Sequence, residues 1–313
     1  NPKKSRRLLR ERDPVTMYRF IDAERANESV RQLCQVLGVS RAAFYEWKSE
    51  RESKRKRRDR SLVVHIKAAW RRGRKCYGSP RVTRELKAEG HAIGRRRVAR
   101  LMREHSLKGA PNKRFRGSTT DSKHLSPVAP NLVNRAFVVR KPNCVWVGDI
   151  TYLLTRSGWV YLAVLIDLFS RKVVGWSLAS HMRDELCLEA LSSAVAARNP
   201  ARGLVHHTDR GSQYASNDYR KALSDLGAVQ SMSRKGDCWD NACVESFFGT
   251  LEQELGGDAN WADETEARAA VSDYIHHFYN PVRRHSTLDY SSPVAYEHQY
   301  LSLIHISEPT RPY

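Results

Sequence analysis

Apolar side chains recur at helical spacing in the first part of the chain. In residues 29–47 they lie three and four positions apart, which indicates two short amphipathic helices. Gly38 permits a tight turn between these helices, and Ser40 stands where it can cap the second one. The pattern predicts a helix-turn-helix over residues 17–58, preceded by a basic arm over residues 1–16. A simple helical hairpin has the same pattern and is the alternative.

A second helical pair is predicted at residues 79–89 and 95–105, with a turn at residues 90–94. The second helix of this pair has an apolar stripe on one side and arginines on the other, with almost no acid to balance them. We interpret the arginine side as facing phosphates. Residues 59–110 are therefore predicted to form a second helix-turn-helix-like DNA-binding unit. The basic run of residues 51–60 is interpreted as the connection between the two units.

Proline, glycine and small polar residues mark residues 111–141 as a linker. Beyond it, β-branched and aromatic residues predict three consecutive strands, at residues 144–154, 159–167 and 172–178. Helices and short strands then alternate up to a helix that begins at residue 241. This order predicts an α/β, ribonuclease-H-like catalytic core with a mixed five-stranded sheet over residues 142–300, preceded by the all-α helix-turn-helix units.

The charge of the chain is divided unevenly. The net charge is +20, but the first 120 residues contain 35 Lys and Arg against 12 Asp and Glu, and the remainder contains 19 against 22. A basic excess confined to one part of the chain indicates nucleic-acid binding by that part, whereas a merely solvated surface, the alternative, mixes both signs. The outward positions of the predicted helices are candidate DNA contacts: Arg41, Tyr45, Lys48, Arg95, Arg96, Arg97 and Arg100.

The six cysteines are scattered and form no C-x-x-C pair. No apolar run is long enough to cross a membrane, and the basic start is followed by no apolar leader. These features predict a cytoplasmic protein with reduced thiols and no membrane partner.

Three acidic residues stand where catalytic carboxylates are useful. Asp149 lies in an otherwise apolar predicted strand, where an uncompensated charge is costly. Asp209 directly follows another predicted strand, at the end where open α/β sheets place their sites. Glu245 lies one turn into a predicted helix. Taken singly, each has a structural alternative: a buried ion-paired acid, a turn residue and a helix-surface acid.

Together the three acids predict a metal site. Carboxylates are the hard oxygen ligands that hold Mg²⁺, and two such ions about 4 Å apart can activate an attacking oxygen and stabilise a leaving one. We therefore expect the three carboxylates to lie within about 4–8 Å of one another. The adjacent His206 and His207 suggest zinc, but the spacing of a His/Cys zinc module is absent.

Three segments, residues 145–152, 206–214 and 240–248, resemble the DDE signature of bacterial insertion-sequence transposases. The likeness is specifically to the second reading-frame product of the IS-three family, whose core is similar to that of retroviral integrases. Two further stretches, residues 166–171 and 279–293, also fit. The resemblance covers residues 17–298.

That resemblance implies a transposase that binds the terminal repeats of an insertion sequence and cuts and joins DNA strands. It assigns Asp149, Asp209 and Glu245 as ligands of Mg²⁺, which Mn²⁺ can replace. Residues 233–236 would form a loop that meets the DNA end, and this loop and the DDE segments add further candidate contacts: Arg210, Arg234, Lys235 and Asn241. The implied partners are double-stranded DNA, further copies of the chain in a synaptic complex and the first-frame product of the same element, all at the bacterial nucleoid.

Three positions depart from the family pattern: Asp237 stands where Asn is usual, Cys144 stands where Gln is expected, and Glu252 is the third. Glu252, two helical turns beyond Glu245, stands where many family members have Lys or Arg. We expect it to face DNA phosphates unfavourably, unless it pairs with Arg234 and orders the loop. At the other end, residues 301–313 resemble a translated sequencing adapter and are predicted to be a non-native tail.

Two other functions remain open at this point. The chain could be a catalytically inactive helix-turn-helix regulator derived from a transposase. It could also be a ribonuclease H or a structure-specific nuclease, although such an enzyme has no evident use for two helix-turn-helix units.

Overall fold

The structure is a computed structural model, and it describes residues 13–49, 54–110, 127–134, 138–234, 241–255 and 260–307. The chain divides into two compact units, Asn1–His65 and Ile66–Tyr313. None of the helices in the described ranges is long and apolar enough to cross a bilayer.

The first unit has a small helical core. Its helices are α1 (Pro14–Glu24), α2 (Val30–Leu37), α3 (Arg41–Lys48) and the beginning of α4 (Lys54–Arg72). Gly38 ends α2 with a φ of 66°, a left-handed conformation that glycine adopts without strain. The helices pack around five buried side chains: Met17, Ile21, Cys34, Leu37 and Phe44. The predicted pair of helices with a glycine turn is confirmed.

Three local predictions in this unit need correction. Helix α1 begins at Pro14, because Asp13 caps it by accepting hydrogen bonds from the next backbone N–H groups, so residues 14–16 are helical and not part of an arm. Ser40 stands at the start of α3, but its side chain makes no capping hydrogen bond. The basic run of residues 51–60 is helical from Lys54, because α4 runs from there to Arg72 without a break.

The second unit begins with the end of α4 and the predicted second helical pair. Helices α5 (Ser79–Ala88) and α6 (Arg95–Glu104) each end one residue earlier than predicted. Three apolar residues of α6 are buried, as its pattern predicted: Val98, Leu101 and Met102.

Within residues 138–234, five strands form one mixed sheet of order β3-β2-β1-β4-β5. Strands β1, β2 and β3 are antiparallel, whereas β4 and β5 continue the sheet parallel to β1. The predicted sheet is confirmed, with strand bounds as follows: β1 (Val145–Thr155), β2 (Gly158–Asp167), β3 (Val173–Ala179), β4 (Val205–Thr208) and β5 (Val229–Met232).

The helices of this domain are α7 (Asp184–Arg198), α8 (Asn217–Leu226), α9 (Ala242–Leu255), α10 (Glu264–Asp273) and α11 (Pro293–Ser307). A π-helical turn follows α10 at Tyr274–Tyr279, and a short 3-10 helix lies at Ser286–Leu288. Since α11 continues to Ser307, the helix extends into the predicted non-native tail. Leu301 and Leu303 in that extension are exposed.

A buried polar network joins α7 and α11 to the end of β2. Asp167 is fully buried and accepts backbone hydrogen bonds from Asn143 at 2.7 Å and Phe169 at 2.9 Å. Burial raises its pKa to about 6 despite these donors. Arg198 lies 3.5 Å from Asp167 and holds Glu297 with two hydrogen bonds. Asp167 is therefore a structural residue at the end of its strand.

Close packing between β3 and α7 requires a glycine at position 175. An added Cβ at Gly175 would lie 2.4 Å from the carbonyl oxygen of Ala190 and 2.6 Å from the Cβ of Ala194. The absent side chain therefore lets the helix approach the sheet.

We expect Gly175→Ala to lower the free energy of unfolding by about 1–3 kcal/mol, the usual cost of overpacking a core. Urea denaturation of the full chain measures it. A loss below about 0.5 kcal/mol, the range of ordinary surface substitutions, would contradict the tight contact.

Candidate active site

The register of the sheet brings two of the three acids together. Strand β1 pairs in parallel with β4, and the last paired residues are Gly148 and Thr208. Asp149 and Asp209 are the next residue on each strand. Since paired residues of neighbouring strands point to the same face, their carboxylates project side by side. Both side chains are half-buried.

Small residues make room for these acids. A Cβ at Gly148 would lie 3.0 Å from the imidazole of His206. Asp209 accepts a hydrogen bond from the backbone N–H of Gly211 at 3.0 Å, and a Cβ on Gly211 would crowd the same carboxylate oxygen. Asp149 similarly accepts from the N–H of Ile150 at 2.8 Å. The backbone thus orients one oxygen of each aspartate.

The two histidines have structural partners. The Nε2 atom of His206 lies 2.7 Å from the hydroxyl of Tyr219, and the Nδ1 atom of His207 lies 2.8 Å from the hydroxyl of Ser231. Both imidazoles are fully buried. Burial, assisted by the neighbouring His207, lowers the pKa of His206 to about 3, so this ring is neutral at physiological pH.

Helix α9 supplies the third acid, Glu245, from its first turn. Just before the helix, the side-chain amide of Asn241 donates to the carbonyl oxygen of Gly148 at 3.4 Å, which ties the start of α9 to β1. Near the other end, Glu254 receives hydrogen bonds from Arg283 at 2.8 Å and from the hydroxyl of Tyr274 at 2.8 Å. These contacts set the position of Glu245 relative to the sheet.

The three acids act on one another electrostatically. Burial raises the pKa of Asp149 well above its ordinary value, the charge of Asp209 raises it further, and Glu245 adds to the shift. The N–H of Ile150 offsets only part of this effect. Burial also raises the pKa of Glu245. The fold therefore holds Asp209 and Glu245 where both carboxylates disfavour the charge of Asp149.

A divalent cation fits this donor set. Three hard oxygen donors converge, and a bound cation would compensate the repulsion and the desolvation that raise the pKa of Asp149. Asp149 and Asp209 follow the last paired residues of β1 and β4, and Glu245 is near enough to act on the charge of Asp149.

The predicted contacts on α3 and α6 differ in their surroundings. Arg41, Tyr45, Arg95 and Arg96 are exposed, whereas Arg97, Arg100 and Lys48 are half-buried. The ammonium of Lys48 pairs with Asp22 at 2.9 Å, and Arg100 pairs with Glu104 at 2.7 Å. These two cations already have acidic partners.

The predicted contacts near the acids also differ. Asn241 is only 4% exposed, so in this structure its side chain links α9 to β1 and does not face solvent. Arg210 is half-buried and donates to the carbonyl oxygen of Ser233 at 2.7 Å. Arg234 is exposed, and Lys235 lies outside the described residues.

Glu252 is exposed on α9. In the described ranges it forms no ion pair, with Arg234 or with any other residue. The alternative, an ion pair between Glu252 and Arg234, is therefore not observed, and repulsion of DNA stays a prediction.

Sequence reasoning missed the residues that hold α9. Glu254 and Arg283 are 29 positions apart, and nothing local marks them as partners. Gly148 and Gly211 lie within the segments 145–152 and 206–214, but their role depends on side chains that approach them in the folded protein. For the Asn241 contact, the only signal in the sequence was an amide residue next to a predicted helix start.

Comparison with known proteins agrees with this geometry. Families described as integrase core domains match residues 139–238 and 226–293, and an HTH-like domain family matches residues 56–115. The chain is 39% identical to transposase InsF for insertion sequence IS3A of Escherichia coli strain K12, over 91% of this chain and 99% of InsF. It is 44% identical to the insertion element IS600 31 kDa protein of Shigella sonnei, over 86% of this chain and 98% of that protein.

The chain belongs to the IS3 family of transposases. It is accordingly a DNA transposase with a DDE-type polynucleotidyl transferase core, and the predicted family is confirmed. Among solved structures, the chain is similar to the HTLV-2 integrase catalytic core domain in complex with magnesium. That likeness has a TM-score of 0.39 and 19% identity and covers 51% of this chain and 98% of the integrase chain.

We expect Asp149→Asn to stabilise the metal-free transposase at neutral pH by about 0.5–2 kcal/mol, the usual size of a stabilising substitution. The folded-state pKa of Asp149 lies above the unfolded value of 3.8. The folded wild type therefore binds a proton at Asp149 more tightly than the unfolded chain does. Its free energy of unfolding falls as the pH rises from the unfolded pKa through the folded pKa. Asn keeps the acceptor for Ile150 without the charge.

The measurement is chemical denaturation in EDTA between about pH 4 and pH 8. The difference in free energy of unfolding between Asp149→Asn and the wild type should grow with pH and then level off. Asp225→Asn, at an exposed position of α8, is the matched control and should leave stability unchanged. An advantage that is independent of pH would mean that the charge of Asp149 is not the cause.

Proposed function

We propose that this transposase cleaves DNA at insertion-sequence ends and joins the cut strand to a target, using Asp149, Asp209 and Glu245 as ligands of two Mg²⁺ ions. The observation that carries the proposal is the proximity of three carboxylates where the pairing of β1 with β4 ends, since Asp209 and Glu245 both raise the pKa of Asp149. Mn²⁺, which also prefers carboxylates, should replace Mg²⁺.

Bound ions would supply charge stabilisation for the attacking and leaving oxygens of a phosphodiester. The protein contributes the placement of the ligands. Hydrogen bonds from the N–H groups of Ile150 and Gly211 orient one oxygen of Asp149 and one oxygen of Asp209. Glu245 completes the set from a helix that Asn241 and Glu254 hold in position.

The basic first part of the chain would hold the DNA. Exposed Arg41, Tyr45, Arg95 and Arg96 are the outward positions that best suit contact with a groove or its phosphates. We infer that the terminal repeats of the element are the recognised DNA. Further copies of the chain and the first-frame product of the element would complete the assembly in which two ends are paired.

We expect Asp149→Asn to lower Mg²⁺-dependent cleavage of labelled element ends by about a thousandfold or more. Loss of a partner that merely supports a metal ligand already costs about 10–100-fold. Binding of the same ends in EDTA should change little, because DNA affinity resides in other residues.

Gel assays of cleavage and binding measure both quantities on the full chain, with Asp225→Asn as the matched control. Binding without cleavage by the wild type in Mg²⁺ and in Mn²⁺ would instead identify an inactive DNA-binding regulator. Parallel loss of binding and cleavage in Asp149→Asn would show that Asp149 is structural.

Glu252 is expected to oppose DNA binding, because its exposed carboxylate lies on the helix that presents Glu245. Glu252→Lys should tighten binding of element ends about two- to fivefold at low salt, and less at high salt, where the charges are screened. Glu252→Gln should give a smaller gain of the same sign. Affinities of the three proteins at two salt concentrations test this, and weaker binding by both variants would overturn the repulsion.

A further inference from the structure

A partly open cavity of about 360 Å³ adjoins helix α9. Its wall on this helix runs from Ala242 to Glu254 and includes Cys243 and Ser246, which flank Glu245 in sequence. The facing wall comes from the segment that follows the π-helical turn, and a third wall comes from Arg81 and its neighbours at the start of the second unit. None of the three candidate metal ligands lines the cavity.

The lining is rich in positive charge. It contains three arginines, Arg81, Arg171 and Arg283, against one acid, Glu254. Glu254 is already bound by Arg283, at 2.8 Å and 3.1 Å. The Nε atom of Arg81 donates to the backbone carbonyl of Arg284 at 3.0 Å, a contact that orients the guanidinium without neutralising it.

A buried imidazole lies among these cations. The Nε2 atom of His285 is buried and has no hydrogen-bond partner in the described part of the chain. Burial lowers the pKa of His285 well below its ordinary value, and the guanidiniums of Arg283, Arg81 and Arg171 lower it further. A polar atom left unsatisfied at positive potential is costly unless a ligand accepts its hydrogen bond.

The mouth of the cavity offers hydroxyl donors. Ser246, Ser286 and Thr287 line it and are exposed, whereas Phe247, Tyr279 and Arg283 lie buried behind them. Guanidinium, imidazole and hydroxyl groups together form a donor set for an anion with several oxygens. Phosphate has that chemistry.

We propose that this cavity binds a backbone phosphate of the DNA strand held at the active site. The inference rests on the proposed function only in naming DNA as the source of the phosphate. Because the cavity and Glu245 share one turn of α9, the two sites lie within about one helix diameter, 10–12 Å. The phosphate is therefore only a few nucleotides from the bond that is cut, and its capture would fix the register of the strand.

The first test uses inorganic phosphate and the full-length, metal-free protein, so it is independent of catalysis. Phosphate should shift the imidazole NMR signals of His285, assigned with His285→Gln, and should raise the pKa of this residue because an anion favours the protonated ring. Arg81→Met should weaken phosphate binding about tenfold, as expected for the loss of one charge-assisted hydrogen bond.

Arg84→Met is the matched control. Arg84 lies one turn further along α5, is exposed, pairs with Asp289 and does not line the cavity. Thr287→Glu provides a variant that should fold normally, since Thr287 is exposed, and it should abolish phosphate binding by placing a carboxylate at the mouth. Absence of a phosphate response at His285 in the wild type, or equal loss in Arg84→Met, would overturn the proposal.

The second test identifies the source of the phosphate. In EDTA, Arg81→Met and Thr287→Glu should weaken binding of element ends, and Arg81→Met should reduce the log–log salt slope by about 0.9, the value for one phosphate contact. Arg84→Met should weaken DNA binding and reduce the salt slope less than Arg81→Met does. Phosphate binding with unchanged DNA affinity in both cavity variants would overturn the assignment to DNA and indicate a free anion. If phosphate and element ends bind as expected but the wild type does not cleave DNA, the result would count against the metal site and not against the cavity.

Discussion

Three carboxylates of like charge are held near one another where the pairing of β1 with β4 ends, and their repulsion is the constraint that the catalytic core must satisfy. Asp149 is penalised by burial and by both neighbours, and its backbone donor compensates only partly. A flexible site would relax by separating the charges. Here the parallel register of β1 and β4 fixes two of the acids, so relaxation is confined to the helix that bears the third.

That helix is held by polar contacts of two kinds. Asn241 ties its beginning to β1, and the buried pair of Glu254 with Arg283 holds its far end against the chain that follows the π-helical turn. Tyr274 adds a second donor to Glu254. A buried ion pair is weak evidence for net stability, but removal of one partner is strongly destabilising. Its value in this fold lies in the geometry that it imposes on Glu245.

The same C-terminal segment also joins the second helical pair to the catalytic core. The hydroxyl of Tyr77 accepts a hydrogen bond from the N–H of Arg284 at 2.9 Å, and the Arg284 guanidinium pairs with Glu85 of α5. Arg283 therefore contacts the catalytic helix, and the adjacent Arg284 contacts the HTH-like pair. These contacts connect α5 of the HTH-like pair through a few side chains to the helix that presents Glu245.

The sequence by itself determined the order of elements, the mixed sheet and the identity of the three acids, because apolar periodicity and short motifs are local properties of the chain. It did not determine the long helix from Lys54, whose basic side chains conceal its apolar stripe, nor the pairing of Glu254 with Arg283. Asn241 was taken for a DNA contact, whereas the fold buries it against Gly148. These outcomes depend on contacts between residues that are distant in the sequence. Burial and side-chain pairing arise only when the chain is packed, so a local sequence pattern does not contain them.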